Sequence, residues 1–314
     1  MKRRIVKHGN STLTVSIPSK WAKRLNLQAG DEISVEEKAK SLILTSETNA
    51  EKKEIVLDIS SSDKFLKRCL YLPYFTGADK IIINFKDKKT LNLIQTWYSN
   101  LLGFEITEQT SSSCVLENVA KGIEDKFDKV FDRLMLLPLL MIESIVEMSS
   151  KNNFDELKNT ADLEKEANKL SLFCRRMLNS GGYKNRKNAT FLYSAVVSLE
   201  GMADDYRNIC LYVISKKIDE ISLPCLNFMK KILEANKIFH KLFYKFDIEA
   251  LEKFKLIRPG LVQPNHLSAK KILDFQDSHE LINKKEHFIL SYLLVVLERM
   301  GQISEELFYP DKII

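Results

Sequence analysis

Hydrophobic and polar positions alternate over short runs in the first 48 residues, with the period of two that predicts β-strands. The predicted strands lie at Ile5–Val6, Leu13–Ile17, Glu32–Glu36 and Ser41–Thr45. Pro18 suits the first turn of a helix, and a short helix is predicted over residues 19–25. Because so short a segment buries too little apolar surface to be stable alone, we expect it to dimerise.

Apolar strands and amphipathic helices alternate between residues 51 and 118. Strands are predicted at Ile55–Ile59, Ile81–Phe85, Phe104–Gln109 and Cys114–Leu116, and helices at Asp63–Thr76 and Thr90–Leu102. The order is βαβαβ with a closing hairpin, which is typical of a compact α/β module. The segment has no glycine-rich phosphate loop and no cluster of histidines or carboxylates, so we interpret it as a linker or interaction module.

The rest of the chain, residues 119–314, has the period of amphipathic helices and no convincing strand. Helices are predicted at 119–150, 153–179, 185–217, 219–244, 247–256, 266–283 and 285–308. Long helices joined by short loops indicate antiparallel bundles. Leu199-Glu-Gly-Met-Ala-Asp204 matches Leu297-Glu-Arg-Met-Gly-Gln302, so we predict two related bundles at about 119–217 and 218–314. The whole chain is therefore expected to be a multidomain α+β protein.

Composition and hydropathy are typical of a protein of the cytoplasm. Hydrophobic residues make up 45% of the chain and charged residues 29%, which is the range of soluble globular proteins. The longest nearly apolar runs, Leu134–Ile142 and Phe288–Leu297, fall short of the ~20 residues that a bilayer requires, so no membrane insertion is expected. The basic start is not followed by an apolar segment, which argues against a secretory signal. Five scattered cysteines without a Cys-x-x-Cys pair favour free thiols in a reducing compartment.

Positive charge is concentrated at the N-terminus. Residues 1–24 hold seven of the 48 basic residues and no acidic residue, which leaves 41 basic against 42 acidic residues in the rest. This asymmetry suggests a polyanionic partner for the N-terminal end. A two-fold dimer would double the set, and cations on a rigid scaffold neutralise DNA phosphates. The candidate DNA-binding residues are Lys2, Arg3, Arg4, Lys7, Lys20, Lys23 and Arg24.

The N-terminal motifs resemble a known family. Arg4-Ile-Val-Lys-His-Gly-Asn-Ser11 is followed by Leu13-Thr-Val-Ser-Ile-Pro18 and by Gly30-Asp-Glu-Ile33. This order is similar to that of the AbrB/MazE/SpoVT swapped-hairpin family over about residues 3–46. The resemblance implies an intertwined, dimeric β-barrel that binds DNA or, in the antitoxin branch, a toxin. Thr14 occupies a position that is basic in many DNA-binding members.

Paired carboxylates stand out in the helical region. Glu200 and Asp204 are four residues apart, so they lie on one face of a helix, where oxygen ligands suit hard divalent cations or iron. Asp162, Glu164 and Glu166 on the preceding helix are candidates to complete such a site. An acid pair with this spacing is also common on solvated helix surfaces.

The same region resembles the PhoU family. Leu199-Glu-Gly-Met-Ala-Asp-Asp-Tyr-Arg-Asn-Ile209 is similar to the PhoU signature, and Glu166-Ala-Asn-Lys-Leu170 to a helix of its archaeal members. The resemblance covers about residues 120–310 and implies two three-helix bundles, a role in phosphate transport and a bound divalent or iron-type metal. It carries the metal assignment to Glu200, Asp204 and Glu166, although Asn168 and Gln302 replace aspartates that the family pattern expects.

The sequence leads to the hypothesis of a non-enzymatic, dimeric regulator of phosphate uptake that binds DNA through its barrel. Its helical part would sense a metal, a phosphate-linked signal or a partner protein. The alternative is an adaptor that dimerises through the barrel without touching DNA and docks on a phosphate transporter or sensor kinase. An antitoxin and a metal-dependent enzyme are further hypotheses. The chain has no nucleophile motif or cofactor fingerprint that would favour an enzyme.

Overall fold

A computed structural model describes residues 2–9, 11–38, 41–46, 53–61, 64–120, 123–180, 183, 188–261 and 285–307. The fold is mixed α+β, with a small N-terminal strand domain and a helical C-terminal part, as predicted. The predicted helix at 266–283 lies outside the described residues. No helix among the described residues is long and apolar enough to cross a membrane.

The N-terminal domain consists of two separate hairpins. Its elements are strands β1 (Ile5–His8) and β2 (Thr12–Val15), helix α1 (Ser19–Arg24), and strands β3 (Ser34–Lys38) and β4 (Ser41–Thr45). The β1–β2 and β3–β4 pairs are both antiparallel, and within one chain they form two two-stranded sheets rather than one. Gly9 takes a positive φ of 71° in the first turn, a conformation that glycine adopts without a steric penalty.

The middle module is a four-stranded sheet with two helices. It comprises β5 (Glu54–Asp58), α2 (Leu66–Phe75), β6 (Lys80–Asn84), α3 (Lys88–Tyr98), β7 (Phe104–Gln109) and β8 (Ser113–Asn118). The strand order is β5-β6-β8-β7, in which only the β5–β6 pair is parallel. The predicted closing hairpin is present, but it inserts β8 between β6 and β7. The module is therefore a mixed sheet and not a simple βαβαβ unit.

In the described residues of the C-terminal part, six helices are present. They are α4 (Phe127–Lys151), α5 (Leu157–Ser180), α6 (Ala189–Lys216), α7 (Leu223–Tyr244), α8 (Ile248–Leu261) and α9 (Glu286–Leu307). The helix predicted from residue 119 begins only at Phe127. Strand β8 extends to Asn118, and a 3-10 turn at Ile123–Lys126 precedes α4. Left-handed residues end two helices, Asn152 after α4 and Lys217 after α6.

The helices share one continuous hydrophobic core. Helix α5 packs between α4 and α6, α6 packs on α9, and α7 packs on both α4 and α9. Leu134, Phe173, Val196, Met229 and Leu293 are each completely or almost completely buried in this core. The sheet of the middle module has a second core of its own, which α5 completes with Leu172. The C-terminal part therefore packs directly on the middle module.

Arg176 of α5 joins the middle module to the helical part. Its side chain is 4% exposed and donates hydrogen bonds to the carbonyls of Tyr74 (2.9 Å) and Ala78 (2.5 Å) at the end of α2. It also pairs with Asp79 at 3.3 Å and lies against the ring of Phe104, 4.9 Å from its centroid. A cation at the C-terminus of a helix is favoured, because the last carbonyls there have no partner within the helix.

Candidate nucleic-acid interface and acidic cluster

All seven predicted DNA-binding cations are exposed on the N-terminal domain. Lys2, Arg3 and Arg4 lead into β1, and Lys7 lies within that strand. The two strands pair in a register that sets Ile5 opposite Val15. The hairpin thus carries four cations within six residues of chain, on a short and regular scaffold.

Helix α1 carries the other three cations. Pro18 is its N-cap, and no acidic residue lies in its first turn. Lys20, Lys23 and Arg24 are exposed and lie on one face, because residues three and four apart are neighbours on a helix. Trp21 and Ala22 are partly buried and lie away from that face.

The N-terminal strands also expose large apolar side chains. Ile5 and Leu13 are each 68% exposed, and Leu42 is 63% exposed. In the antiparallel register Ile5, Leu13 and Val15 share one face of the first hairpin, and Val15 is also exposed. Both sheets are two-stranded, and such sheets are at best marginally stable when nothing covers their apolar face.

The acidic pair of the helical part lies at the contact between α5 and α6. Nη1 of Arg207 lies 2.7 Å from Oδ1 of Asp204 and 2.9 Å from Oε1 of Glu164. The side chain of Glu164 is only 7% exposed, and Asn168 donates a further hydrogen bond to it. Glu200 lies one turn before Asp204 on the same helix. Arg207, which the helical spacing of the acids does not predict, therefore pairs with two of the three carboxylates.

Glu166, the third predicted metal ligand, does not join Glu200 and Asp204 in this structure. Two residues along a helix turn the side chain by about 200°, so Glu166 and Glu164 lie on opposite sides of α5. Glu166 forms a bidentate ion pair with Arg133 of α4 at 2.7 and 3.1 Å. Among the described residues, no group of three histidines, cysteines or carboxylates is arranged to hold a metal ion.

Burial shifts the titration of the acidic cluster. It raises the pKa of Glu200, and the neighbouring charge of Asp204 raises that pKa further. The pKa of Glu164 is also raised, chiefly by burial, and the Arg207 guanidinium opposes that shift. Both shifts follow from a charged carboxylate in a poorly hydrated place. The cluster is therefore a partly buried ion-pair network.

The second copy of the repeated motif packs against the first. Nε of Arg299 on α9 donates to Oδ2 of Asp205 on α6 at 2.8 Å, and its guanidinium covers Gly201. Arg299 and Gly201 occupy equivalent positions in the two copies of the motif. The predicted repeat thus forms a contact between the two halves of the helical part.

The comparisons with known proteins identify only the N-terminal domain. A family model described as antidote-toxin recognition MazE, bacterial antitoxin, matches residues 6–52. No curated protein and no solved structure matches the chain. Residues 6–52 are therefore similar to a MazE/AbrB-type domain, which confirms the predicted resemblance of this segment. The predicted resemblance of the helical part to PhoU remains a prediction.

Proposed function

We propose that this protein is a homodimeric, DNA-binding transcriptional regulator. The observation that carries the proposal is a MazE/AbrB-like domain whose seven cations are all exposed and whose first 24 residues contain no acidic residue. The proposal places the protein in the cytoplasm with its DNA. A regulator of this type requires no catalysis, and its specificity depends on surface complementarity.

Dimerisation follows from the exposed apolar faces. Ile5, Leu13 and Leu42 are each more than 60% exposed in a single chain, and burying such side chains is worth about 1.5–3 kcal/mol each. A second copy of the same domain would cover them by the two-fold arrangement that most homodimers adopt. The resulting barrel would carry the cations of both protomers.

DNA contact follows from the distribution of charge. Each cation that neutralises a phosphate releases a counterion, so affinity falls steeply with salt. Arg3, Arg4 and Arg24 also have the forked geometry that suits guanine edges in the major groove. A binding test therefore needs a salt series as well as a dissociation constant.

The experiment is a fluorescence-anisotropy titration of the full chain against duplex DNA from the region upstream of its own gene. The variant Arg3→Ala with Arg4→Ala removes four cations from a dimer, so we expect the slope of log K against log salt to become less steep by about 2 to 4. Lys88→Ala with Lys89→Ala, on α3 of the middle module, removes the same charge and should leave the slope unchanged.

Two outcomes would contradict the proposal. Affinity independent of salt, or equal losses in the two double variants, would show that the N-terminal cations do not contact phosphates. A stable dimer that retains no DNA would instead favour an adaptor that docks on a transporter or kinase. Co-purification of a small toxin with residues 6–52 would favour the antitoxin function that the matching family's description states.

A finer part of the proposal concerns the helical region. We assign it the sensor role of a PhoU-like domain and assign the regulated genes to phosphate uptake. The helical composition of this region and the repeated motif, whose two copies meet where α6 contacts α9, support the assignment. Transcript levels in phosphate-rich and phosphate-poor cells, with and without this gene, test it. Unchanged transport-gene transcripts would remove phosphate uptake from the proposal without affecting DNA binding.

A further inference from the structure

A cavity of about 620 Å³ lies where α2 of the middle module meets α5 of the helical part. Its volume is within the range of small-molecule sites, which also tend to lie between domains. Among the described residues, the side chains that line it are cationic, aliphatic or aromatic, and none of them is a carboxylate. The lining consists of Lys64, Phe65, Lys67, Arg68, Tyr71, Leu72, Phe75 and Arg175.

Two of the lining cations, Arg175 and Lys67, lie against aromatic rings. The guanidinium of Arg175 lies 3.9 Å from the centroid of the Phe75 ring, and its Nε donates to the hydroxyl of Tyr193 at 3.0 Å. The ammonium of Lys67 lies 5.1 Å from the ring of Trp97. Cations fixed in this way lose little side-chain freedom when an anion binds.

Exposed apolar side chains of the lining provide a second kind of contact. Phe65 is 67% exposed and Leu72 is 50% exposed, although both belong to the cavity wall. An exposed ring such as that of Phe65 beside several cations is a combination that receives a nucleotide, because the base stacks on the ring while cations pair with phosphates. The first turn of α2 contains no acidic residue, which also favours an anion there.

Glu200 is an acidic group that acts on two of these cations. The charges of Arg175 and Lys67 both act to lower its pKa, so its carboxylate lies near them, although it does not line the cavity. Glu164 also acts on this lining, because its charge raises the pKa of Tyr71. Among the described residues, the three cations Lys67, Arg68 and Arg175 still outnumber these two carboxylates. A ligand with several negative charges therefore matches this cavity better than a monoanion does.

We propose that the cavity between α2 and α5 binds a nucleoside di- or triphosphate. The phosphates contact Lys64, Lys67, Arg68 and Arg175, and the base lies against Phe65. Because Arg175 belongs to α5 and the other contacts to α2 and its start, the ligand bridges the middle module and the helical part. Its action as an effector rests on the proposed regulatory function, whereas binding itself does not depend on DNA.

The test is isothermal titration of the DNA-free, full-length protein with ATP, ADP, adenosine and inorganic tripolyphosphate. We expect ATP and ADP to bind. Adenosine should bind at least about tenfold more weakly, because it lacks the phosphates that make charge-assisted contacts. Tripolyphosphate should bind more weakly than ATP, because it lacks the base. Failure of ATP and ADP to bind at millimolar concentration overturns the proposal, whatever the result of the DNA titration.

Matched variants locate the site. Arg68→Ala should weaken ATP at least about tenfold, whereas Lys88→Ala, which removes one exposed cation from α3 of the same module, should leave it unchanged. Phe65→Ala should weaken ATP and leave tripolyphosphate binding as it is. Equal effects of Arg68→Ala and Lys88→Ala would overturn the site. Tighter binding of a short single-stranded oligonucleotide than of any mononucleotide would also overturn it, in favour of a nucleic-acid groove.

Discussion

Replacing Arg176 with methionine should loosen the joint between the middle module and the helical part. Methionine fills a similar volume but donates no hydrogen bond, so the substitution removes the donors without opening a large cavity. The buried guanidinium holds the carbonyls of Tyr74 and Ala78, at 2.9 and 2.5 Å. The Tyr74 carbonyl also accepts from the Gly77 N–H, so the Ala78 carbonyl bears most of the loss.

The expected cost follows from these contacts. Leaving a buried carbonyl without its partner costs about 1–3 kcal/mol, and loss of the 3.3 Å pair with Asp79 adds to that cost. Methionine avoids the cost of burying a charge, which offsets part of the loss. The net destabilisation should therefore be about 2–4 kcal/mol, and it should fall mainly on the contact between α2 and α5.

Urea unfolding with two probes measures this effect. Trp97 reports on the middle module and circular dichroism reports on the helices, provided that Trp21, the other tryptophan, is first replaced with phenylalanine. We expect Arg176→Met to move the Trp97 transition to lower urea than the helical transition. Arg133→Met is the matched control, because Arg133 pairs with Glu166 on the surface of the helical part, where ion pairs contribute about 0–1 kcal/mol.

Two results would refute this reasoning. If Arg176→Met cost no more than Arg133→Met, the buried hydrogen bonds would contribute nothing beyond a surface ion pair. If the two probes instead moved together, the module and the helices would unfold as one unit, whatever holds their contact. In that case Arg176 would stabilise the whole chain and not the joint in particular.

Three further substitutions test other parts of the helical region. Burial raises the pKa of Glu200, so the folded protein binds the proton of this carboxyl more tightly than the unfolded chain does and loses stability as pH rises. Glu200→Gln should therefore raise the Tm measured by calorimetry at about pH 8 but not at about pH 4. Asn236→Ala removes the 2.9 Å bond to the buried Tyr206 hydroxyl and should cost about 1–3 kcal/mol in urea unfolding. Gly201→Ala sets a Cβ 2.5 Å from Cζ of Arg299, so its cost should disappear in an Arg299→Ala background.

The regular elements were largely predictable because periodicity reports burial directly. Strand β4 and the long helices α5, α6 and α7 lie within a few residues of their predicted bounds. The start of α4 was not predictable in the same way. The residues before it are partly apolar and read as a continuation of the helix, but the 3-10 turn at Ile123–Lys126 separates it from the sheet. Local pattern does not show where a sheet edge ends and a helix begins.

Only part of the acidic cluster follows from the sequence, and the reason is physical. The pair Glu200 and Asp204 follows from helical spacing alone. The carboxylate of α5 that joins this pair is the one on the helix face that packs on α6. The sequence indicates that face, because Ala161, Glu164 and Ala167 are spaced by three residues along its buried stripe. Glu166 lies off that stripe.

The N-terminal domain shows why a single chain is an incomplete unit of analysis. Alternation along β1 and β2 predicts a buried face, yet in one protomer that face, with Ile5 and Leu13, is exposed. The alternation of apolar and polar residues indicates that one face of a strand is buried, but it does not indicate whether the atoms that bury it belong to the same chain. The exposed fraction of Ile5 and Leu13 is therefore the observation on which the proposed dimer rests, and the charge on the same segment is the one on which proposed DNA binding rests.

Arg175 and Arg176 show how the helical part is attached to the remainder of the chain. They are neighbours on α5, and both reach α2, where Arg175 lies over the Phe75 ring and Arg176 caps the carbonyls at the end of the helix. Helix α2 connects β5 to β6, and the chain enters β5 from the N-terminal domain. A change in the contact between α5 and α2 therefore acts on an element that is directly connected to β5, the first described strand after the N-terminal domain. A signal that alters that contact therefore acts one strand away from the N-terminal domain, which a sensor located only in the far helices α8 and α9 would not do.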